Sequence, residues 1–501
     1  MSEARRDGVR SRAKRSVRAR PVSAGPTASQ AEAMAKIAPG RAAAFEILTL
    51  VGAGKGHSDE LLHSSRTEAL SPEDRNLTTA LVMGVLRWQI ALDARLAKLL
   101  ARPEQRLAEP VALALRMGAF QLLHMDRIPA HAVLNESVEI CRAAGQPHAA
   151  GMMNAVLRKL AAEKATIQKG NESKPTSQNR VVGHAVRGAP LIESPGAFAE
   201  RLGHPLWLVE RWAAAYGRAA ALAICEYGQH EPGRGAIFVE ADGDGADATA
   251  VGEDAPQMDD GSRLVAEIAA AAMPSVSDRV ARVWDCCAAP GGKTLILAWR
   301  LEGAEILATD VSAKRLAQTA ARLRRYAYAQ RVRCAVMDAS AAGEKLEIQL
   351  KTHLEDQRVV ERDAEFDLIL CDVPCSGTGT LARNPEIRHR LRVEDMARQA
   401  ERQRAILSGA LRRLAPGGRL VYSTCSLEPE ENERVVEAVL PEAEVRRIPI
   451  GPLIAKLADA GVLRQDVAAG LIDSSVRDGA LRMLPGAHDC DGFFAAVLQR
   501  A

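Results

Sequence analysis

Val283-Trp-Asp-Cys-Cys-Ala-Ala-Pro-Gly-Gly-Lys-Thr294 is the stretch on which the reading of the fold turns. A short apolar run, Val283-Trp284, ends in Asp285, a turn of small residues follows, and the apolar residues 295–299 predict the start of a helix. Strand, glycine turn and helix form the layout of a nucleotide-binding crossover, with the ligand over the carboxyl ends of the strands. Gly291 and Gly292 carry no Cβ, so the backbone there can approach a ligand closely. The acid expected about 20 residues further on is Asp310, which closes Glu305-Ile-Leu-Ala-Thr-Asp310. A glycine turn alone fits a surface turn in any α/β domain. Asp310 shifts the reading to a nucleoside-containing ligand. Neither a Gly-x-x-x-x-Gly-Lys-Ser/Thr loop nor a spaced Gly-x-Gly-x-x-Gly is present, which narrows the class further.

Outward from this stretch, the chain from about 264 alternates short apolar runs with helical periods. Strands are expected at 283–284, 306–308, 332–336, 366–371 and 420–423, and helices at 313–326 and 393–414. That alternation predicts an α/β domain with a mostly parallel sheet covered on both faces, and apolar strands fit burial on both sides. Upstream, residues 31–165 read as helices throughout, with apolar periods at 43–50, 81–88, 91–100, 115–125, 133–141 and 152–160. Ser71-Pro72-Glu73-Asp74 supplies an N-cap, a proline at the first helical position and early acids. Residues 166–200 have linker composition, as in Lys169-Gly-Asn-Glu-Ser-Lys-Pro-Thr-Ser-Gln-Asn-Arg180. Residues 201–263 form a small connecting unit. It holds a helix at 205–216 with Trp207 and Trp212 on a packed face, a strand at Ala236-Ile-Phe-Val239, and an acidic insertion. Residues 239–261 carry eight acids and no base, which reads as a solvated segment.

The chain has 501 residues, enough for two or three domains, and its 47% hydrophobic and 26% charged residues describe an ordinary soluble protein. A net charge of +3 hides an uneven distribution: Arg5, Arg6, Arg10, Arg12, Lys14, Arg15, Arg18 and Arg20 stand against Glu3 and Asp7. Residues 1–30 are therefore expected to be a disordered basic arm that contacts nucleic acid, with a transit peptide as the alternative. The nine cysteines include no Cys-x-x-Cys pair, so neither a disulfide framework nor a zinc site is expected. Reduced thiols and the absence of a long apolar run predict a cytoplasmic protein with no membrane span, no metal and a monomeric state.

Two of the cysteines stand out. The expected strand 366–371 runs into Asp372-Val-Pro-Cys375-Ser-Gly-Thr-Gly-Thr380, and the strand 420–423 runs into Thr424-Cys425-Ser426. Each cysteine follows the carboxyl end of a strand, the rim where doubly wound sheets hold ligands. Either alone reads as an ordinary loop cysteine, whereas the pair beside a nucleoside-type loop does not.

Ala288-Ala-Pro-Gly-Gly-Lys293, Asp372-Val-Pro-Cys375 and Thr424-Cys425-Ser426, in that order, resemble the signature set of RNA cytosine-5 methyltransferases, and Asp491-Gly-Phe-Phe494 extends the match. In the amino-terminal half, Leu115-Arg-Met-Gly-Ala-Phe-Gln121, Pro129-Ala-His131, Asn135-Glu-Ser-Val138 and Asn154-Ala-Val-Leu-Arg158 are similar to the NusB-like helical domain of the Sun/Fmu (RsmB) small-subunit rRNA methyltransferases. The resemblance implies a Rossmann-like methyltransferase domain over 264–501, using S-adenosylmethionine, behind an all-α NusB-like RNA-binding domain over 31–165. It implies methylation of carbon 5 of a cytosine in 16S rRNA, with rRNA as the partner.

By the same resemblance, Cys425 attacks carbon 6, Cys375 assists product release, Asp372 acts at the cytosine N3 edge, and Lys293 stabilises a thiolate or orients the adduct. The loop Cys287, Ala288, Ala289, Pro290, Gly291, Gly292 and Lys293 is implied to cradle the cofactor, with Asp310 on its ribose and Asp338 and Asp372 beside it. Arg383, Arg388 and Arg390 are candidates for RNA phosphate contacts. Departures lie before the sheet, where Val-Glu-Ala-Asp242 and Asp259-Asp-Gly261 replace the usual Arg-x-Asn and Gln-Asp, which bears on the target nucleotide. The competing readings are the same chemistry on tRNA or large-subunit rRNA, a DNA cytosine methyltransferase, in which Cys375 would attack, and an inactive RNA-binding assembly factor.

Overall fold

The computed structural model describes residues 34–104, 106–172, 194–233, 237–239, 256, 258–341 and 364–501. The expected basic arm, most of the linker and most of the acidic insertion lie outside the described residues.

Strands β1 (Arg282–Asp285), β2 (Glu305–Asp310), β3 (Arg333–Val336), β4 (Phe366–Asp372) and β5 (Leu414–Thr424) form at the five apolar runs. They pair in parallel in the order β3-β2-β1-β4-β5. Successive side chains along a strand point to opposite faces, and the two cores divide accordingly. Val283, Leu370 and Val421 pack with Leu264, Ile268 and Leu295 on one face. Trp284, Ile369, Leu420 and Tyr422 pack with Leu407 and Val436 on the other. Each such apolar side chain contributes about 1.5–3 kcal/mol when fully buried. Strand order reverses between β1 and β4, which opens a crevice at their carboxyl ends.

Beyond the expected strands, β6 (Val445–Ile448), β7 (Val476–Arg477), β8 (Ala480–Met483) and β9 (Phe493–Arg500) enlarge the sheet to nine strands. β9 runs antiparallel to β5, and its other edge is shared by β8 near its start and β6 near its end. The expected strand at 236–239 is replaced, among the described residues, by a single bridge between Phe238 and Leu463.

The amino-terminal half is a helical bundle. Ser71 Oγ accepts from Asp74 N at 3.1 Å and caps Pro72–Ala97, so the two apolar periods at 81–88 and 91–100 belong to one helix. Gly84 sits inside that helix because the Phe120 ring occupies its side-chain space, with Cζ only 1.9 Å from where a Cβ would stand. Leu81, Leu115, Met117, Ile140 and Met153 fill the bundle core. Three short helices, Pro195–Arg201, Leu206–Tyr216 and Arg218–Tyr227, then bridge to the sheet domain. Trp212 is buried there and donates to Glu428 at 3.1 Å, while Trp207 is half-buried on the same cluster.

Candidate active site

The turn after β1 is fixed by backbone bonds on both sides. Cys286 N donates to Leu370 O of β4 at 3.0 Å, and Ala288 N donates to Thr309 O of β2 at 2.8 Å. Gly291 adopts φ +92°, and a Cβ there would lie 2.8 Å from the Thr319 methyl, so glycine is required twice over. Helix Gly292–Arg300 follows at once, and its first N–H groups have no partner within the helix. At the end of β2, Asp310 accepts from Ser312 N at 2.8 Å and lies 3.6 Å from Arg315. Two carboxylate oxygens retain acceptor capacity beyond these contacts. A narrow loop of small residues, a helix N-terminus and an acid one strand away fit S-adenosylmethionine. Asp338 is exposed and spends Oδ1 on Ser340 N (2.9 Å) and Ser340 Oγ (2.6 Å), which is a turn cap.

Across the crevice, the loops after β4 and β5 bring Cys375 and Cys425 together with 3.4 Å between the sulfurs. The hydrogen bond with Cys425 and burial push the Cys375 thiol well above its ordinary range, so it holds its proton. Lys293 Nζ lies 2.7 Å from Asp372 Oδ2 and donates to Ser262 Oγ at 2.9 Å. Burial alone would lower the ammonium, but Asp372, Cys425 and Asp285 outweigh it and raise it. Asp372 also accepts from Ser423 Oγ at 2.8 Å, which orients the carboxylate. Lys293 is therefore held as a cation beside Asp372.

Sequence reasoning missed three features of this site. Asp285 is 1% exposed, accepts from Thr294 Oγ1 at 2.7 Å, and leaves Oδ1 without a hydrogen-bond partner. Burial, with help from Asp372, pushes it up to about 7, against the pull of Thr294 and Lys293. Ser262 comes from the capped helix Asp260–Ala271, which no motif flagged. Glu431 is fully buried behind both cysteine loops, where it accepts from Ser376 N and Ser426 Oγ.

The expected RNA contacts require correction. Arg388 is 2% exposed, and its guanidinium donates to the carbonyls of Arg87, Gly203, Gly228 and Leu381. Arg390 donates to Val51 O and Gly56 O at 2.6 and 2.7 Å, and Arg383 is ion-paired with Asp259 and Asp491 at 2.7 and 2.9 Å. Arg388 thus faces only protein and joins the bundle to the sheet domain, Arg390 ties its loop to the bundle, and Arg383 is held in ion pairs. Glu386 completes the seam by accepting from Ser58 N and Ser58 Oγ at 3.1 and 2.8 Å.

The chain is similar to known proteins over nearly its whole length. Residues 274–499 match the 16S rRNA methyltransferase RsmB/F family and residues 39–162 match the NusB family. The ribosomal RNA small subunit methyltransferase B of Xanthomonas campestris is 31% identical over 463 residues, covering 86% of this chain and 90% of that one. That of Vibrio vulnificus is 29% identical over 496 residues, covering 91% and 98%. The crystal structure of PH0851 shares the fold, with a TM-score of 0.61, 20% identity and coverage of 93% and 99%. Among the described residues no helix is long and apolar enough to cross a membrane. With a NusB-type bundle ahead of a methyltransferase sheet and relatives matched nearly end to end, the chain belongs to the RsmB family of S-adenosylmethionine-dependent ribosomal RNA methyltransferases.

Proposed function

We propose that the chain methylates carbon 5 of a cytosine in 16S rRNA through a covalent adduct between Cys425 and carbon 6. The observation that carries this reading is the pair of sulfurs 3.4 Å apart at the ends of adjacent parallel strands, beside a half-buried lysine–aspartate pair. Carbon 5 of cytosine is a weak nucleophile within the aromatic ring. Addition of the Cys425 thiolate at carbon 6 breaks the conjugation and makes carbon 5 enamine-like. Lys293 orients the adduct in this reading, and Asp372 hydrogen-bonds or protonates the N3 edge, which favours addition. The 287–293 loop and Asp310 would hold S-adenosylmethionine, which would supply the electrophilic methyl group and leave as the neutral thioether. Solvent water, acting as base, then takes the carbon-5 proton, the ring double bond re-forms and the carbon–sulfur bond breaks, and Cys425 leaves as a thiolate. Cys375, protonated and adjacent, assists that elimination.

The family resemblance assigns attack to Cys425, and the upward shift of the Cys375 thiol, from its hydrogen bond with Cys425 and from burial, supports Cys375 as the partner that keeps its proton. The NusB-like domain and the basic arm contribute rRNA affinity in this reading. Bisulfite sequencing of total RNA from cells with and without the protein tests the reaction and the target together. One protected cytosine in 16S rRNA that disappears with the protein is the expected result. Loss confined to tRNA or 23S rRNA would move the target, and no lost cytosine would end the reading.

A further inference from the structure

We infer that Glu431 is a positioning residue that sets the distance between the two thiols. Its carboxylate, 0% exposed, receives three hydrogen bonds: from Ser376 N at 2.8 Å and Gln403 Nε2 at 2.8 Å on Oε2, and from Ser426 Oγ at 3.1 Å on Oε1. Ser376 directly follows Cys375, and Ser426 directly follows Cys425. One side chain thus holds the neighbours of both sulfurs. The clasp is closed by Ser376 Oγ and Ser426 Oγ, 2.9 Å apart, and by Gln403 Nε2, which also donates to Pro374 O at 3.0 Å on the other flank of Cys375. Glu431 is itself anchored to β5, since Tyr422 Oη donates to its carbonyl at 2.6 Å, and Asn432 Nδ2 donates to Ser426 O at 2.9 Å.

The residue type is explained by this arrangement. Three donors converge on two oxygens, a demand that an acceptor-only carboxylate meets and that an amide, with a single acceptor oxygen, leaves partly unmet. No cation pairs with Glu431 among the described residues. A buried acid without a counter-ion costs desolvation energy that an apolar residue of the same volume avoids. What the carboxylate supplies in return is a fixed geometry at the residues next to both sulfurs, in two loops that also meet further along, at Gly379 N–Cys425 O (2.9 Å) and Leu427 N–Thr378 Oγ1 (2.8 Å).

The role rests on reading Cys375 and Cys425 as the reacting pair, and its test begins without RNA. Full-length protein is treated with diamide, which accepts two electrons and two protons as two thiols become a disulfide, and peptide mass spectrometry quantifies the Cys375–Cys425 link. The wild-type sulfurs need only a short approach to bonding distance and should link readily. Glu431→Gln should slow the link by on the order of tenfold and lower kcat for rRNA methylation by roughly 10–100-fold, as expected for reacting groups misplaced by about 1 Å. Calorimetric affinity for S-adenosylmethionine and KM for rRNA should stay at wild-type values. The Cys286–Cys371 pair, 3.2 Å apart and fully buried, serves as the control, since it links only in a chain that opens. If that control shows Glu431→Gln to be unfolded, Ser426→Ala, which cuts one arm of the clasp, decides with the same two readouts and smaller changes in the same direction. A folded variant that links and turns over at wild-type rates overturns the inference. Because the link needs no substrate, failure of the cytosine chemistry leaves this readout intact, and failure of the positioning role leaves the cysteine assignments intact.

Discussion

At the carboxyl ends of β1, β4 and β5, charged side chains surround two thiols; in residues 381–390, which leave the Cys375 loop, charged side chains bind one domain to another. Lys293 and Asp372 pair with each other and remain 12% and 26% exposed, within reach of a substrate. Glu386 and Arg388, at 1% and 2%, face only protein. Arg388 satisfies backbone carbonyls from the bundle, the connecting helices and its own loop, and burial lowers it only to about 9, so it stays charged at neutral pH. A basic run beside the Cys375 loop is thus not evidence of nucleic-acid contact until the partners of each guanidinium are known.

The largest effect should come from the seam. Arg388→Met removes a buried cation and leaves the carbonyls of Gly203, Gly228 and Leu381 short of a donor, while Arg87 O keeps Gln229 Nε2 at 3.1 Å, a loss of about 3–5 kcal/mol by analogy with breaking a buried charged network. Denaturant unfolding measures it, and a loss below about 1 kcal/mol would show that the seam is no more than a surface contact. On the rim, Asp310→Ala should leave stability nearly unchanged but weaken S-adenosylmethionine binding by roughly 1.5–3 kcal/mol, the worth of a charge-assisted acceptor. Calorimetry on the folded variant checks it, and unaltered affinity removes Asp310 from the ribose.

The smallest effects separate the two regions by pH. Asp285, raised by burial to about 7, binds its proton more tightly in the folded chain, so its contribution to stability is present at low pH and is lost as pH rises through about 7. His389, in the seam, is lowered to about 4 by burial and by Arg388, although Leu86 O accepts from its ring at 2.7 Å. Its contribution is present above about 6.5 and is lost as pH falls through about 4. Thermal midpoints of Asp285→Asn and His389→Gln against wild type, between pH 4 and 8, should therefore drift in opposite directions, by about 2–4 °C per kcal/mol. Parallel drifts would mean that the two groups do not titrate as their surroundings dictate.

Legibility followed the range of the interactions. β1 to β5 are apolar runs packed on both faces, and local sequence carries that signal. β6, with Arg446 and Arg447 between Val445 and Ile448, is too polar to be told from a loop, and the two-residue β7 is too short. The run Phe493-Phe-Ala-Ala-Val-Leu498 did carry a strand signal, and β9 could have been found there. Motifs located the thiols, Lys293 and Asp372, but not the distances among them. Glu431 meets Ser376 from 55 positions away, and Arg388 meets Arg87 from 301, so only the folded chain shows what either one holds. Arg388 was misread because composition does not distinguish a buried arginine from a solvated one.

The central claim, that Cys425 forms the bond to RNA and Cys375 helps to break it, is tested most directly by a denaturing gel. Each alanine variant is incubated with S-adenosylmethionine and unmodified 16S rRNA, denatured, and examined for protein that migrates with RNA. Cys375→Ala should accumulate the covalent species, because attack and methylation proceed while elimination is slowed. Cys425→Ala should yield none and transfer no methyl group. A covalent complex trapped by Cys425→Ala, with none from Cys375→Ala, would contradict the account and assign the attack to Cys375.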